Sequence, residues 1–177
     1  MEEFLSPEKI LDQLELTKNM SGAEFGCGTG HWAIELAKRL TNGIVYAIDV
    51  QEAVLSSLKS RAEQEYVTNL RTLQGDLSQE RGSGLPSKGI DIVLIPNMLF
   101  QVEDRKAVIE EAKRVLRQEG IMVVIDWKKE KILTLDQGYA PTTEIKKISL
   151  DLGLEIIKEF SAGSHHWGLV LRQKINQ

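Results

Sequence analysis

The alternation of short apolar runs with amphipathic segments is the feature that most limits what this chain can fold into. "GAEF", "IVYAI", "LRTLQ", "DIVLI" and "IMVVI" are runs of strand type, the fourth stopped by Pro96. Continuous β-branched runs of this kind suit strands covered on both faces. Between them lie segments with apolar residues at helical spacing. "HWAIELAKRL" carries Ala33, Ile34, Ala37 and Leu40, and a turn at Thr41–Gly43 ends it. "QEAVLSSLKSRAEQEY" carries Val54, Leu55, Leu58 and Ala62. "RKAVIEEAKRVLRQEG" places Val108, Ile109, Ala112, Val115 and Leu116 on one face, with Gly120 as its predicted stop. A first helix is predicted in "LSPEKILDQLEL", with Ser6 as N-cap, Pro7 opening it and Ile10, Leu11 and Leu14 apolar. A last one is predicted in "TTEIKKISLDLG", capped by Thr142 or Thr143. "SQERGSGLPSKG" is turn-rich and reads as an exposed loop.

Strand–helix alternation means a parallel sheet with helices on both faces. The pattern ends on two strands, "LEIIKEF" and "HWGLVLRQ", separated only by "SAGS". Four residues are too few for a helical crossover, so the last strand is expected to be antiparallel. The fold class is therefore α/β: a Rossmann-like, doubly wound, seven-stranded sheet, mostly parallel with an antiparallel last strand. The 177 residues carry no repeat or linker and suit a single domain, 1–177.

The first strand runs into "EFGCGTGHW", with glycine at 26, 28 and 30. Such a loop lets a backbone approach a ligand closely. In open α/β sheets that ligand lies at the carboxyl edge, near the switch point. The dinucleotide fingerprint would need glycine at 26, 28 and 31, but position 31 is His31. The phosphate-loop pattern also fails, since no Gly-Lys-Ser/Thr follows. An acid after the second strand is present: Asp49 ends "VYAID", nineteen residues after Gly30. A ligand with a ribose fits this pattern, and a pyrophosphate is not required.

G-x-G-x-G, the acid at Asp49 and a further acid in "QGDL" together resemble the class I S-adenosylmethionine-dependent methyltransferases. The resemblance runs from about Pro7 to Arg172. "EFGCGTG", "YAIDV", "QGDL" and "IDIVLIPNMLFQVED" match the family's successive motifs, and "AKRVLRQEGIMVVIDW" matches the helix and strand after them. "RQEG" stands where the family usually has a Pro-Gly-Gly-like turn. The small-molecule group typified by the ubiquinone/menaquinone C-methyltransferases is the most similar in flavour. The resemblance implies S-adenosylmethionine as cofactor and assigns roles. Glu24 would hold the methionine ammonium, and the backbone of Gly26, Cys27, Gly28 and Gly30 would approach the methionine and sugar. Asp49 would bind the ribose hydroxyls, with Val50 against adenine. Asp76, beside Gly75, would accept from the adenine amino group, with Leu77 on the ring. Ile95, Pro96 and Asn97 would line the methyl-donating end.

Methyl transfer is an in-line displacement, so positioning does most of the catalysis. A base is needed only where the nucleophile must lose a proton. His166 and Tyr139 are the candidates: His166 opens the last strand at the carboxyl edge, and Tyr139 lies in "DQGYAP", a loop crossing that edge. His31 is expected to position or pack, and Cys27 to pack. The places after Asn97 where the small-molecule group often carries histidine hold Phe100 and Gln101. The [D/N]-P-P-[Y/F] run of amino-methylating DNA enzymes is missing.

The net charge of −4 disfavours a general affinity for nucleic acid or an anionic membrane. Cys27 is the only cysteine, which excludes an intrachain disulfide and argues against a thiol metal site. The N-terminus, with Glu2 and Glu3, has no leader pattern, and no run approaches the ~18 apolar residues of a membrane span. The expected setting is a soluble, cytoplasmic protein with a small-molecule substrate. Little chain precedes the sheet to cover an acceptor, so a homodimer partner is an expected source of a cap. Two other readings stay open: a non-catalytic S-adenosylmethionine-binding module and an NAD-binding oxidoreductase.

Overall fold

The computed structural model describes residues 5–129 and 138–174. Glu2 and Glu3, and Asp136 and Gln137 of the loop before Tyr139, lie outside these residues. A short helix α1 (Pro7–Leu11) precedes β1 (Gly22–Phe25), α2 (His31–Arg39), β2 (Val45–Asp49), α3 (Glu52–Gln64) and β3 (Leu70–Gln74). Then follow β4 (Ile90–Pro96), a single 3-10 turn at Leu99–Gln101, α4 (Arg105–Val115), β5 (Leu116–Trp127), α5 (Thr142–Asp151), β6 (Leu154–Ala162) and β7 (His166–Gln173).

The described strands form one seven-stranded sheet in the order β3-β2-β1-β4-β5-β7-β6. β1 pairs in parallel with β2 on one side and β4 on the other, so Glu24 faces Ala47 and Leu94. The winding direction reverses there, which opens a crevice above the carboxyl ends of β1 and β4. β7 runs antiparallel to both β5 and β6, as the brevity of "SAGS" requires. Side-chain alternation then builds two cores. Val93, Ile95, Val124 and Leu169 pack under α4 and α5 with Val108, Ile109 and Ile145. Ile92, Leu94, Val123 and Val170 pack under α1 to α3 with Leu11, Ile34, Leu36 and Leu58. Burying both faces is what makes the central strands uniformly apolar.

Local chemistry accounts for several boundaries. Ser6 caps α1, accepting from the Lys9 N–H, with Pro7 in the first turn. Leu14 lies beyond that helix. Three expectations need correction. α4 ends at Val115 rather than Gly120, because Leu116 is already extended and pairs with Ile90. Gly120 lies inside β5, where a Cβ would press on the Asp91 and Ile90 carbonyl oxygens at 3.0 and 3.1 Å. Neither Thr142 nor Thr143 caps α5; Pro141 occupies the cap position, without a side-chain bond. The 78–89 loop is not wholly exposed, since Ser83 and Leu85 are buried. Pro96 ends β4 from within the strand.

Candidate functional site

A cleft of about 1090 Å³ opens at the switch point. Its floor is the end of β1. Glu24 is 1% exposed, and its Oε2 accepts from the Ala33 N–H, in the first turn of α2, at 2.7 Å. Burial pushes its carboxyl well above the usual range; the Ala33 hydrogen bond pulls the other way, and the nearby Asp49 charge raises it further. This is a carboxyl whose charged form has only partial support within the protein.

The three loop glycines all have positive φ, at 69°, 47° and 75° for Gly26, Gly28 and Gly30. Their surroundings differ. A Cβ on Gly28 would meet nothing within 4 Å, whereas one on Gly26 would press on Met98. A Cβ on Gly30 would overlap the Leu58 side chain, and Gly30 is not among the described residues lining the cleft. At that position glycine leaves room for Leu58, which lets α2 pack against α3. Cys27 lines the cleft but is buried, and burial, followed by the charges of Glu24 and Asp49, pushes its thiol up. It is a packing residue, with no thiolate character.

Asp49 joins two loops. Its Oδ2 accepts from the Gly28 N–H and its Oδ1 from the Gln51 N–H, both at 3.0 Å. Val50 beside it is 54% exposed and lines the cleft. Gly75, Asp76 and Leu77 form the next wall. Asp76 is exposed, and its Oδ1 accepts from the hydroxyl and the N–H of Ser78 at 2.6 and 3.0 Å. Those bonds, led by the hydroxyl, hold its carboxyl below the usual range. Leu77 is buried. Pro96 and Asn97 close the cleft at the end of β4. Asn97 sits at φ 51°, donates its N–H to Ile125 O at 2.8 Å, and keeps Oδ1 buried without a partner among the described residues. Such strain in a residue that is not glycine is concentrated at functional sites.

Residues beyond the sequence assignment also line the cleft: Leu5 and Pro7, His31, and the stretch from Gln101 to Asp104. His31 Nδ1 and Thr29 Oγ1 share a hydrogen bond of 2.9 Å. The described lining carries five carboxylates, Glu24, Asp49, Asp76, Glu103 and Asp104, and no lysine or arginine. For Leu5 and Pro7 there was no local signal, because only the packing of α1 on α2 brings them there.

The two candidate bases are not brought into the cleft. His166 does lie at the carboxyl edge, paired with Trp127, but β5 stands between its strand and β4. It is 5% exposed, its ring centroid is 4.1 Å from that of Trp127, and neither ring nitrogen has a partner among the described residues. Burial, followed by the charges of His165 and Lys128, lowers its pKa to about 4. A proton acceptor near 6.5 is therefore not found at this position. Tyr139 is likewise not among the lining residues, and its carbonyl accepts from Arg105 at 2.9 Å.

With this geometry in view, similarity to known proteins becomes informative. A demethylmenaquinone methyltransferase of Staphylococcus aureus (strain MRSA252) is 27% identical over 136 residues, covering 75% of this chain and 54% of that protein. A probable cobalt-precorrin-6B C(15)-methyltransferase (decarboxylating) of Methanosarcina acetivorans is 33% identical over 85 residues, covering 48% of this chain and 46% of that one. The chain spans about half the length of the curated relatives it matches. The crystal structure of a SAM-dependent methyltransferase from Aquifex aeolicus superposes with a TM-score of 0.83 at 25% identity, covering 94% of this chain and 89% of that one. The family described as a methyltransferase domain matches residues 16–162. That stretch takes in the glycine loop, the sheet as far as β6 and nearly every wall of the cleft, so the chain belongs to the methyltransferase-domain family and has the class I, S-adenosylmethionine-dependent fold.

Proposed function

We propose that the cleft binds S-adenosylmethionine and that the chain methylates a small acceptor, uncharged or cationic, chiefly by holding acceptor and methyl group in line. Glu24 carries this reading: a carboxyl buried at the floor of an open cleft, with its charged form only partly supported, suits a cationic group. The remaining lining fits the rest of such a ligand. Gly26, Cys27 and Gly28 present backbone, and Gly28 leaves open space beside it. Asp49 retains acceptor capacity for ribose hydroxyls after its two backbone bonds. Val50 and Leu77 offer apolar faces to a purine, and Asp76, beside Gly75, offers an acceptor to an amino group. Pro96 and Asn97 border the transfer end. When bound, the cofactor supplies an electrophilic methyl group on a sulfonium.

A small-ligand pocket measures roughly 300–1,000 Å³. The cleft, at about 1090 Å³, lies at the upper end of that range. Leu5, Pro7, His31 and the stretch from Gln101 to Asp104 are among the walls left for that acceptor. With no cationic side chain among the described lining residues, a polyphosphate or nucleic acid is disfavoured. A cytoplasmic setting and a homodimer that completes the cap belong to the same proposal. No described helix is long and apolar enough to cross a membrane. A one-domain reading rests on both cores sharing one sheet.

One observation favours a second reading, a binding module without catalysis: neither His166 nor Tyr139 lines the cleft. Calorimetry with S-adenosylhomocysteine and with NAD tests the cofactor, and binding of NAD alone overturns it. Release of S-adenosylhomocysteine from S-adenosylmethionine, dependent on a metabolite pool, distinguishes the enzyme from the module.

A further inference from the structure

An ion pair on α4, its carboxylate buried and its guanidinium half-buried, does not line the cleft. Glu111 is 4% exposed, and its carboxylate accepts from Arg114 through both oxygens, each at 2.7 Å. Glu111 Oε1 also accepts from the Ser83 N–H at 3.1 Å and from the Ser83 hydroxyl. Ser83 is itself buried, and its Oγ accepts from the Leu85 N–H at 3.1 Å. Arg114 continues the network, donating to Leu85 O at 2.8 Å and to Ser87 Oγ at 3.0 Å. Burying a charge gives little net stability against an apolar replacement.

The pair holds one short segment. Gly82, next to Ser83, lies so close to Asp76 that a Cβ there would overlap the Asp76 carbonyl oxygen. A second close contact joins the same segments, since a Cβ on Gly75 would overlap the Gly82 carbonyl oxygen. Two hydrogen bonds complete the turn, Gln79 N–H to Asp76 O and Gly82 N–H to Gln79 O, both at 3.0 Å. Gly75 N–H in turn donates to Asp49 O at 3.1 Å. An unbroken path therefore leads from α4, through Ser83 and Gly82, to the wall formed by Gly75, Asp76 and Leu77.

We propose that Glu111, held by Arg114, is a positioning residue that sets Asp76 for recognition of the adenine amino group through Ser83 and Gly82. This rests on the cofactor reading above. The contacts of Gly82 with Asp76 and Gly75 are backbone against backbone with no side chain to yield, so a shift of Ser83 is passed to the Asp76 main chain. Glu111 thereby governs which base the site accepts without touching the ligand.

The test is calorimetry with S-adenosylhomocysteine and with S-inosylhomocysteine, which presents a carbonyl where adenine presents an amino group. Wild-type protein is expected to favour the adenosyl ligand by ~10-fold or more, the worth of a hydrogen bond to a charged acceptor. Asp76→Ala removes that preference. Glu111→Gln, which keeps the side chain's shape, and Ser83→Ala, which removes one hydroxyl, each lower the preference to ~2-fold while the protein stays folded by circular dichroism. Should Glu111→Gln fail to fold, Ser83→Ala decides alone. A folded variant that keeps the wild-type preference, or that loses affinity for both ligands equally, overturns the proposal. So does a wild-type protein that binds S-adenosylhomocysteine without preference, and the cofactor reading then survives. Wild-type protein that binds neither ligand removes both.

Discussion

Glu24 occupies a place where a free carboxylate is costly, at the floor of the cleft with its charged form favoured chiefly by the Ala33 N–H. A carboxyl pushed above its ordinary range binds a proton in the folded state that the unfolded chain has already lost. Its contribution to unliganded stability is full below the unfolded value of 4.5 and is lost as pH rises through the folded value. A cationic ligand favours the ionised form. Affinity for S-adenosylhomocysteine is therefore expected to rise as pH rises through the raised carboxyl value, with proton release on binding. Glu24→Gln flattens that profile and weakens binding by ~1.5–3 kcal/mol, the range for a hydrogen bond to a charged group. Calorimetry in buffers of different ionisation enthalpy reads both effects, and an unchanged profile in the variant would remove the ammonium from Glu24.

Elements impose their own demands. The glycine loop serves two needs at once, and two substitutions separate them. Gly28→Val places a β-branched side chain in the open space of the cleft and is expected to abolish cofactor binding. Gly30→Ala instead drives a methyl group into Leu58 at φ 75° and is expected to cost ~2–4 kcal/mol of stability, read by urea unfolding. If Gly30→Ala unfolds like wild type, the packing assignment fails. At the start of β7, the burial of His166 bears on stability. Its pKa near 4 lies below the ordinary 6.5, so its contribution is full above 6.5 and is lost as pH falls through 4. The whole shift is worth ~3 kcal/mol. Asp126, raised to about 6 by burial against the pull of its backbone hydrogen bonds, runs the opposite way, losing its contribution as pH rises through that value. The informative quantity is therefore the difference between His166→Phe and wild type. The variant should gain on wild type as pH falls from about 6.5 to 4, and a constant difference would show that the imidazole titrates normally.

At the scale of the molecule, the cleft is assembled from both halves of the sheet. Asp49 links the β1 loop to the β2 turn, Asn97 ties the end of β4 to Ile125 of β5, and α1 supplies an outer wall. A ligand that spans these parts is coupled to global stability. At ~100 times its dissociation constant, S-adenosylhomocysteine is expected to add ~2.7 kcal/mol to the unfolding free energy. Thermal unfolding with and without the ligand checks this, with NAD as the contrasting addition. A transition raised by NAD and not by S-adenosylhomocysteine would contradict the cofactor reading.

Features written within one element, or between adjacent ones, were legible from the residues alone. Periodicity separated strands from helices, "SAGS" forced β7 to run antiparallel, and the glycines with Asp49 and Asp76 marked the carboxyl edge. These depend on backbone geometry and side-chain alternation, which neighbouring residues set. Features that depend on surfaces far apart in sequence were not legible in this way. Gly30 is glycine because Leu58 lies against it, and Leu5 and Pro7 reach the cleft because α1 packs on α2. Ser83 is buried because a carboxylate 28 positions away accepts from it. His166 starts at the expected edge but stands beyond β5, since strand order, rather than strand direction, sets lateral distance from the switch point. Local patterns carry the direction of each strand; only the packed faces decide which strands become neighbours.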